Sequence, residues 1–399
     1  MKQTYKTFIL STTLLSANLL LSANLQAGEF SGNISLEGRY FLDDAVYTGQ
    51  KAGGLSLSLQ PEYKHKWDND HNVFTFIPFY RWDEKDPERT HGDIRQLDLI
   101  MAKGDWEFQG GISKVFWGVT ESQHLVDIIN QTDGVDGLDG EDKLGQPLFR
   151  VSHIRDEGTV SFYLLPYFRE RTFAGSKGRF RAALPVDSKD VSYESSKEEK
   201  HIDYALRLTH TFDEIDVGLS YFDGTSRTPQ FTPDISRGVL KQHYPLLKQV
   251  GLDLQYTGEA WIWKLEAVNR DTKAEHYNAA VAGFEYTFPG IGEGNTDLGL
   301  LAEYHYDSRG EVLNAVFQND LFVGARVSLN DVDGTEFLAG AFVDLDNQSK
   351  VFRVEGSRRI GKGLKLNIEA QTYVNIDDTD PLTNFKKDSL IQIELQKYF

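Results

Sequence analysis

The 399-residue chain contains no cysteine, so neither disulfide bonds nor thiol chemistry contributes to its fold or function. After residue 27 it also lacks any apolar run of the length that a membrane-spanning helix needs. Positive charge is scarce, with 42 Lys and Arg against 60 Asp and Glu and a formal net charge of −18. This acidic balance argues against nucleic acid as a partner, because nucleic-acid phosphates bind positive surfaces.

Residues 1–27 are expected to be a secretory signal peptide. Lys2 and Lys6 precede an apolar core at 8–21, and residues 25–27 (Leu-Gln-Ala) suit a cleavage site. A membrane-anchoring helix is the less favoured alternative, because the apolar run is short and interrupted by Ser and Thr. Since no cysteine follows the core, a bacterial lipoprotein anchor is excluded.

Residues 319–399 alternate between apolar and polar side chains with a period of two. In one run Leu364, Leu366 and Ile368 alternate with Lys365 and Asn367, and four similar runs share this segment. Alternate side chains of a strand point to opposite faces, so each run has one apolar and one polar face. A soluble sandwich would alternate too, but its outer face would be less uniformly apolar and its strands shorter. The pattern therefore favours a transmembrane β-barrel.

The same alternation begins at residue 28, and counting its runs predicts an all-β, antiparallel barrel of about eighteen strands over residues 28–399. Sixteen strands is the alternative if two weak runs merge; the fourth run is weak because Ile94 and Ile100 fall on its polar face. Short turns all fall at one end, as expected for the periplasmic side. Long gaps all fall at the other, extracellular end, at 43–53, 83–92, 117–146, 170–200 and 223–249.

The gap at 117–146 contains a short apolar run, residues 125–129, that needs a surface to cover it. We expect this segment to be an inward-folded constriction loop, because long loops with such runs often carry function. Its apolar run would lie on the barrel wall, and Glu121, Asp127 and Asp133 would face the pore. Acidic side chains around a pore favour cations over anions. The alternative is an outward lid or an ordinary extracellular loop.

Three stretches around this gap carry a family resemblance: 104–108 (Gly-Asp-Trp-Glu-Phe), 117–122 (Trp-Gly-Val-Thr-Glu-Ser) and 126–130 (Val-Asp-Ile-Ile-Asn). They resemble a poorly characterised family of Gram-negative porin-like outer-membrane proteins. A more distant similarity is to the alginate-export barrels, without their Arg-rich strand motifs. The resemblance implies a barrel and a channel, and it names no substrate.

Aspartates recur at every third position after the apolar run, at Asp133, Asp136, Asp139 and Asp142. Closely spaced carboxylates on a glycine-rich backbone suit calcium, which binds six to eight oxygens. The spacing is not that of a helix–loop–helix calcium site, and a solvated acidic turn is the alternative. No other cofactor is expected.

Charged residues on the polar faces are expected to line the lumen. Two interpretations stay open: a basic ladder facing acidic residues sorts polar solutes, or the charges pair with one another and stiffen the wall. The residues are Arg39, Arg81, Arg150, Arg169, Arg207, Arg326, Arg353, Glu285 and Glu369.

The C-terminal Phe399 follows an alternating run and resembles the signal that the barrel-assembly machinery recognises on outer-membrane proteins. Aromatic residues near the ends of other runs predict girdles at the two membrane interfaces. Localisation in the outer membrane of a Gram-negative bacterium follows, with lipid and lipopolysaccharide as partners.

The sequence favours a passive channel for small hydrophilic solutes, constricted by an acidic loop. An enzyme is not expected, because the ten histidines are scattered and neither G-x-S-x-G nor H-E-x-x-H occurs. Two alternatives remain. One is a non-conducting barrel whose outer loops bind a ligand or surface; the other is an outer-membrane hydrolase.

Overall fold

The computed structural model of the protein describes residues 28–137, 140–292, 294–310 and 315–399. The expected signal peptide, residues 1–27, lies outside these ranges. Within them, no helix has both the length and the hydropathy that a bilayer crossing requires.

Eighteen antiparallel strands form one closed barrel, in which each strand pairs with the next along the chain and the last pairs with the first. At the closing seam, the backbones of Gly32 and Phe399 exchange two N–H···O bonds of 3.0 and 3.1 Å. The predicted eighteen strands are confirmed, and sixteen is excluded. The barrel strands are β1 (Glu29–Phe41), β2 (Gly53–Trp67), β3 (Asn72–Asp83), β4 (His91–Lys103), β5 (Trp106–Ser113), β6 (Gln146–Arg155), β7 (Gly158–Leu165), β9 (Asp203–Phe212), β10 (Ile215–Thr225), β13 (Leu246–Thr257), β14 (Trp261–Thr272), β15 (His276–Ile291), β16 (Thr296–Asp307), β17 (Asn319–Ser328), β18 (Glu336–Asp344), β19 (Lys350–Ile360), β20 (Leu364–Val374) and β21 (Leu390–Tyr398).

Three further strands form a small separate sheet that the sequence did not predict. They are β8 (Val186–Tyr193), β11 (Gln230–Asp234) and β12 (Val239–Tyr244), with β12 between the other two. Short 3-10 helices occur at Pro87–Arg89, Glu198–Lys200 and Pro381–Phe385. All these elements lie in connections at the end of the barrel with the long gaps, which we call the loop end. The opposite end is the turn end.

The two faces of the barrel differ as the period-two pattern predicts. On β1, Ile34, Leu36 and Tyr40 are exposed on the outside, whereas Ser35 and Glu37 are buried on the inside. Exposed leucine, isoleucine, valine and aromatic side chains recur on the outer face of the other barrel strands. A continuous apolar outer surface is typical of barrels that span a lipid bilayer.

A β-bulge explains why β4 gave a weak pattern. Across β3 and β4, Ile77 pairs with Gln96 while Pro78 pairs with Ile94, so Arg95 is the extra residue. The bulge shifts the alternation by one position, and Arg95 becomes buried inside the barrel. Ile94 therefore belongs to the outer face on its own side of the bulge.

Two predicted strands were too long at the loop end. β5 was expected to continue to Phe116, and it ends at Ser113; β7 was expected to reach Arg169, and it ends at Leu165. Beyond Ser113 the chain leaves the wall for the lumen, where the backbone N–H of Val115 donates to the side chain of Asn130 instead of to a strand.

Candidate solute passage in the barrel lumen

The segment between β5 and β6, which we call loop 114–145, packs its apolar run against the inside of the barrel. Val126 and Ile129 are fully buried, and Leu125 and Ile128 nearly so. They form one cluster with inward-facing apolar side chains of β6, β7, β9, β10, β13, β14 and β15. Burial of these side chains is worth about 1.5–3 kcal/mol each, which holds the loop against the wall.

Two inward-facing glutamates hold the first part of loop 114–145. Glu266 on β14 accepts hydrogen bonds from the backbone N–H groups of Val119 and Val126, at 2.7 and 3.0 Å. Glu303 on β16 accepts from the backbone N–H groups of Glu121 and Ser122, both at 2.8 Å. Each buried carboxylate thereby satisfies loop backbone donors that no strand could pair.

The hydroxyl of Ser122 lies 2.8 Å from Nε2 of His305, a distance at which a serine nucleophile and its base would meet. The same hydroxyl also contacts Glu303. The backbone N–H groups of Glu121 and Ser122, which could have formed an oxyanion hole, donate to Glu303 instead. These contacts hold the loop in place, with both backbone N–H groups donating to Glu303.

The far part of loop 114–145 is held by arginines on another wall. Asp133 and Asp136 both contact the guanidinium of Arg95 on β4, at 2.7 and 2.9 Å, and Arg81 on β3 contacts Asp136 at 2.6 Å. β4 and β16 lie on opposite sides of the ring, because eight barrel strands separate them in either direction. Loop 114–145 therefore crosses the lumen from wall to wall.

Glu37 on β1 is the centre of a buried charge cluster at this second wall. Its carboxylate lies 3.0 Å from Arg39, 3.0 Å from Arg81 and 2.9 Å from Arg89. Arg89 also donates to the backbone carbonyl of Val135 at 2.8 Å, and so links the cluster to the crossing loop. We call Glu37, Arg39, Arg81, Arg89 and Arg95 the arginine cluster.

Burial and ion pairing act in opposite directions on the ionisable groups of the loop. Burial raises the pKa of Asp133, but the hydrogen bond from His91 and the charge of Arg95 outweigh it and hold that pKa well below its usual range. Burial lowers the pKa of His124, but Glu141 and Glu266 outweigh it and raise the pKa to about 10. Asp133 is therefore ionised and His124 protonated at neutral pH, which strengthens both anchors.

The three residues predicted at the constriction do not share one position. Glu121 borders a small cavity and pairs with Arg326 at 2.7 Å. Asp127 is buried and pairs with Lys143 at 3.2 Å, and burial raises its pKa. Asp133 is fully buried in its contact with Arg95. Control of solute passage by Glu121 stays a prediction.

The aspartates of the calcium hypothesis are partly neutralised by protein cations. Asp133 and Asp136 contact Arg95, and the backbone carbonyl of Asp142 accepts from Asp133. Asp139 lies outside the described residues. Among the residues that are described, no group of three or more acidic, histidine or cysteine side chains is arranged to hold a metal. Calcium binding stays a prediction.

Most of the predicted lumen charges lie on inward faces and contact oppositely charged or polar side chains. Arg169 does not lie on a barrel strand. It follows the end of β7 and contacts Asp93 from the connection after that strand. Glu285 lies 3.4 Å from Arg326, and Glu369 faces Glu355 and Gln392 across neighbouring strands. The remaining pairs are Arg39–Glu37, Arg81–Glu37, Arg150–Glu107, Arg207–Asp253 and Arg326–Glu121, while Arg353 contacts Gln371.

Two neighbouring cavities remain beside the crossing loop. The outer cavity, of about 370 Å³, lies towards the loop end between β1, β2, β18–β20 and the residues that follow β7. A slot of about 80 Å³ lies deeper, between loop 114–145 and β17–β19. Both cavities contact Phe342 and Arg353, so these two residues are where the outer cavity and the slot adjoin.

Three carboxylate side chains and one cationic side chain line the slot. Glu121 and Glu141 belong to loop 114–145, and Glu355 and Arg353 belong to β19. Below the slot, inward-facing polar residues such as Ser357 and Asn367 stay partly exposed. The wall of β17–β20 therefore keeps water-accessible space on the turn side of the loop.

A third cavity, of about 480 Å³, lies on the other side of loop 114–145, against β4–β7 and β9. Arg150 and Arg207 face it together with Thr209. We call it the back cavity. It shares no lining residue with the outer cavity or the slot.

Sequence reasoning missed the aromatic residues of the slot and the cationic residues of the outer cavity. Phe322 and Phe342 stand on the otherwise polar faces of β17 and β18, and both are buried. Apolar residues out of phase with the alternation were the available signal. Arg171 and Lys177, which border the cavity from the connection after β7, lie outside any strand pattern and gave no signal.

No protein-family model and no curated protein matches the chain. Among solved structures it is similar to Wzi, an outer-membrane protein involved in group 1 capsule assembly in Escherichia coli and described as a carbohydrate-binding β-barrel. The identity is 11%, the TM-score is 0.53, and the match covers 91% of this chain and 83% of that one. A triple mutant of the Rhodopseudomonas blastica porin matches at 12% identity and a TM-score of 0.45, over 93% of this chain and 100% of that one. The likeness to Wzi shows a shared barrel fold, and membership of the porin-like family stays a prediction.

Proposed function

We propose that the protein is an outer-membrane channel for the passive diffusion of small hydrophilic solutes. The observation that carries this proposal is that the outer cavity and the slot adjoin at Phe342 and Arg353, along the wall that loop 114–145 leaves uncovered. A solute would pass between the loop and β17–β19. A barrel of eighteen strands is wide enough for an aqueous channel.

The cellular setting belongs to the same proposal. The apolar outer face would contact lipid and lipopolysaccharide, and the signal peptide over residues 1–27 would be removed during export. The loop end would face outwards, since long loops of bacterial barrels are extracellular. Phe399, which pairs with Gly32 at the closing seam, would be the residue that the barrel-assembly machinery recognises.

The second candidate is a barrel that binds a ligand without conducting. The anchoring of loop 114–145 at two opposite walls favours it, because a loop held by Glu266, Glu303 and Arg95 blocks most of the lumen. In that case the outer cavity is a closed pocket and the slot is its floor.

Single-channel recording in planar bilayers separates the two candidates. We expect reconstituted wild-type protein to give discrete current steps, smaller than an unobstructed barrel of this strand number would give. The acidic slot predicts a preference for cations, measured as the reversal potential in a salt gradient. Folded protein that inserts and carries no current would overturn the channel and leave the binding barrel.

A further inference from the structure

The outer cavity has a positive wall, although the chain as a whole is acidic. Arg171, Lys51 and Lys177 border it, and no carboxylate among the described residues pairs with any of them. Nε of Arg171 is buried without a hydrogen-bond partner. A buried N–H donor without a partner is costly unless something accepts from it.

The two carboxylates that border the cavity are already engaged by the protein. Asp83 contacts Arg89 at 2.9 Å, and Asp86 accepts from the backbone N–H groups of Glu88 and Gly175. Asp86 keeps its negative charge, because backbone hydrogen bonds do not cancel it, but Arg171, Lys51 and Lys177 outnumber it. The net field in the cavity is therefore positive and attracts an anion.

Polar side chains such as Arg353, Gln371 and Tyr373 also line the cavity, and a group of aromatic rings borders it as well. The ring of Phe180 lies 5.7 Å from that of Phe41 and 6.3 Å from that of Phe385, and Phe317 stacks on Phe342 at 4.6 Å. All five rings border the cavity. A sugar hydroxyl that faces these rings would lack a hydrogen-bond partner, because phenylalanine supplies none. A ring without hydroxyl groups would bury its surface against these side chains at no such cost.

We propose that the outer cavity binds small organic carboxylates with an apolar ring-shaped body. Arg171 and Lys177 would hold the carboxylate, and the phenylalanine rings would enclose the body. The volume of about 370 Å³ is in the range of ordinary ligand pockets. The inference rests on the proposed function in one respect: the cavity is the outer part of the proposed passage.

Equilibrium dialysis with radiolabelled benzoate tests the site on the purified, detergent-solubilised barrel. We expect saturable binding that weakens as the salt concentration rises, because the attraction is electrostatic. Benzyl alcohol, which keeps the ring and lacks the charge, and acetate, which keeps the charge and lacks the ring, should each bind at least about 10-fold more weakly. Glucuronate, a carboxylate whose ring carries hydroxyl groups, should also bind more weakly than benzoate.

A matched pair of double variants locates the site. The double variant Arg171→Gln with Lys177→Gln should bind benzoate about 10-fold or more weakly, since hydrogen bonds to charged groups are the strong ones. The control, Arg181→Gln with Lys189→Gln, removes the same charges from the same connection without touching the cavity. Both are expected to fold, because Arg171 and Lys177 make no ion pair with a described residue.

Equal benzoate affinity in the two double variants, or tighter binding of glucuronate or acetate than of benzoate, would overturn the inference. The outcome is separate from the channel proposal. A barrel that binds benzoate and carries no current supports the binding site and overturns the channel. A barrel that carries current and does not bind benzoate supports the channel and overturns the binding site.

Discussion

Replacing residues 115–144 by a short glycine–serine linker is expected to raise the single-channel conductance several-fold. Loop 114–145 crosses the lumen, so its removal opens the space between β4 and β16 that it now occupies. The linker has a short distance to span, because Ser113 and Gln146 are paired neighbours at the ends of β5 and β6. Planar-bilayer recording of both proteins measures the change.

A second variant tests the same prediction if the deletion protein fails to fold. Replacing Glu266 and Glu303 by glutamine keeps the loop and weakens four of its charge-assisted hydrogen bonds. We expect larger and noisier current steps from this variant. Unchanged conductance in a folded deletion protein would mean that the loop does not limit the pore.

Replacing Glu37 by alanine is expected to lower the free energy of unfolding by about 3–5 kcal/mol, the usual cost of removing one partner from a buried ion pair. Arg39, Arg81 and Arg89 would then lie close together without the carboxylate between them. Asp83 and Asp136 keep contacts with Arg89 and Arg81, so the barrel should still fold. Urea unfolding in liposomes, followed by tryptophan fluorescence, gives the difference.

The matched control is Glu84→Ala. Glu84 also pairs with a cation, Lys85 at 2.6 Å, but both side chains are exposed. Exposed pairs are worth about 0–1 kcal/mol, so this change should have little effect. Similar losses from the two variants would show that the arginine cluster is not held together by Glu37.

The sequence predicted the barrel because period-two alternation is a local signal that each strand carries by itself. It failed at β4, where the bulge at Arg95 shifts the phase and places Ile94 on the outer face. One inserted residue changes every inward and outward assignment on one side of it. Such a shift depends on how β4 pairs with β3. The sequence of β4 alone carries no information about that pairing.

The site was less predictable than the fold. Residues 125–129 indicated correctly that the loop needs a surface, because four apolar side chains in a long loop must be buried somewhere. Which walls the loop reaches depends on Glu266, Glu303 and Arg95, which lie far from it in sequence. Asp133 was predicted to face the pore from its charge alone, and its contact with Arg95 could not be read from the sequence.

The most direct test of the proposed passage uses the natural absence of cysteine. A single cysteine in place of Glu355 would stand in the slot, whereas one in place of Thr209 would stand in the back cavity. A charged methanethiosulfonate reagent, added during single-channel recording, reacts only with these introduced thiols. We predict that the current falls when Glu355→Cys is modified and stays unchanged for Thr209→Cys. Block at Thr209→Cys without block at Glu355→Cys would contradict a passage between loop 114–145 and β17–β19.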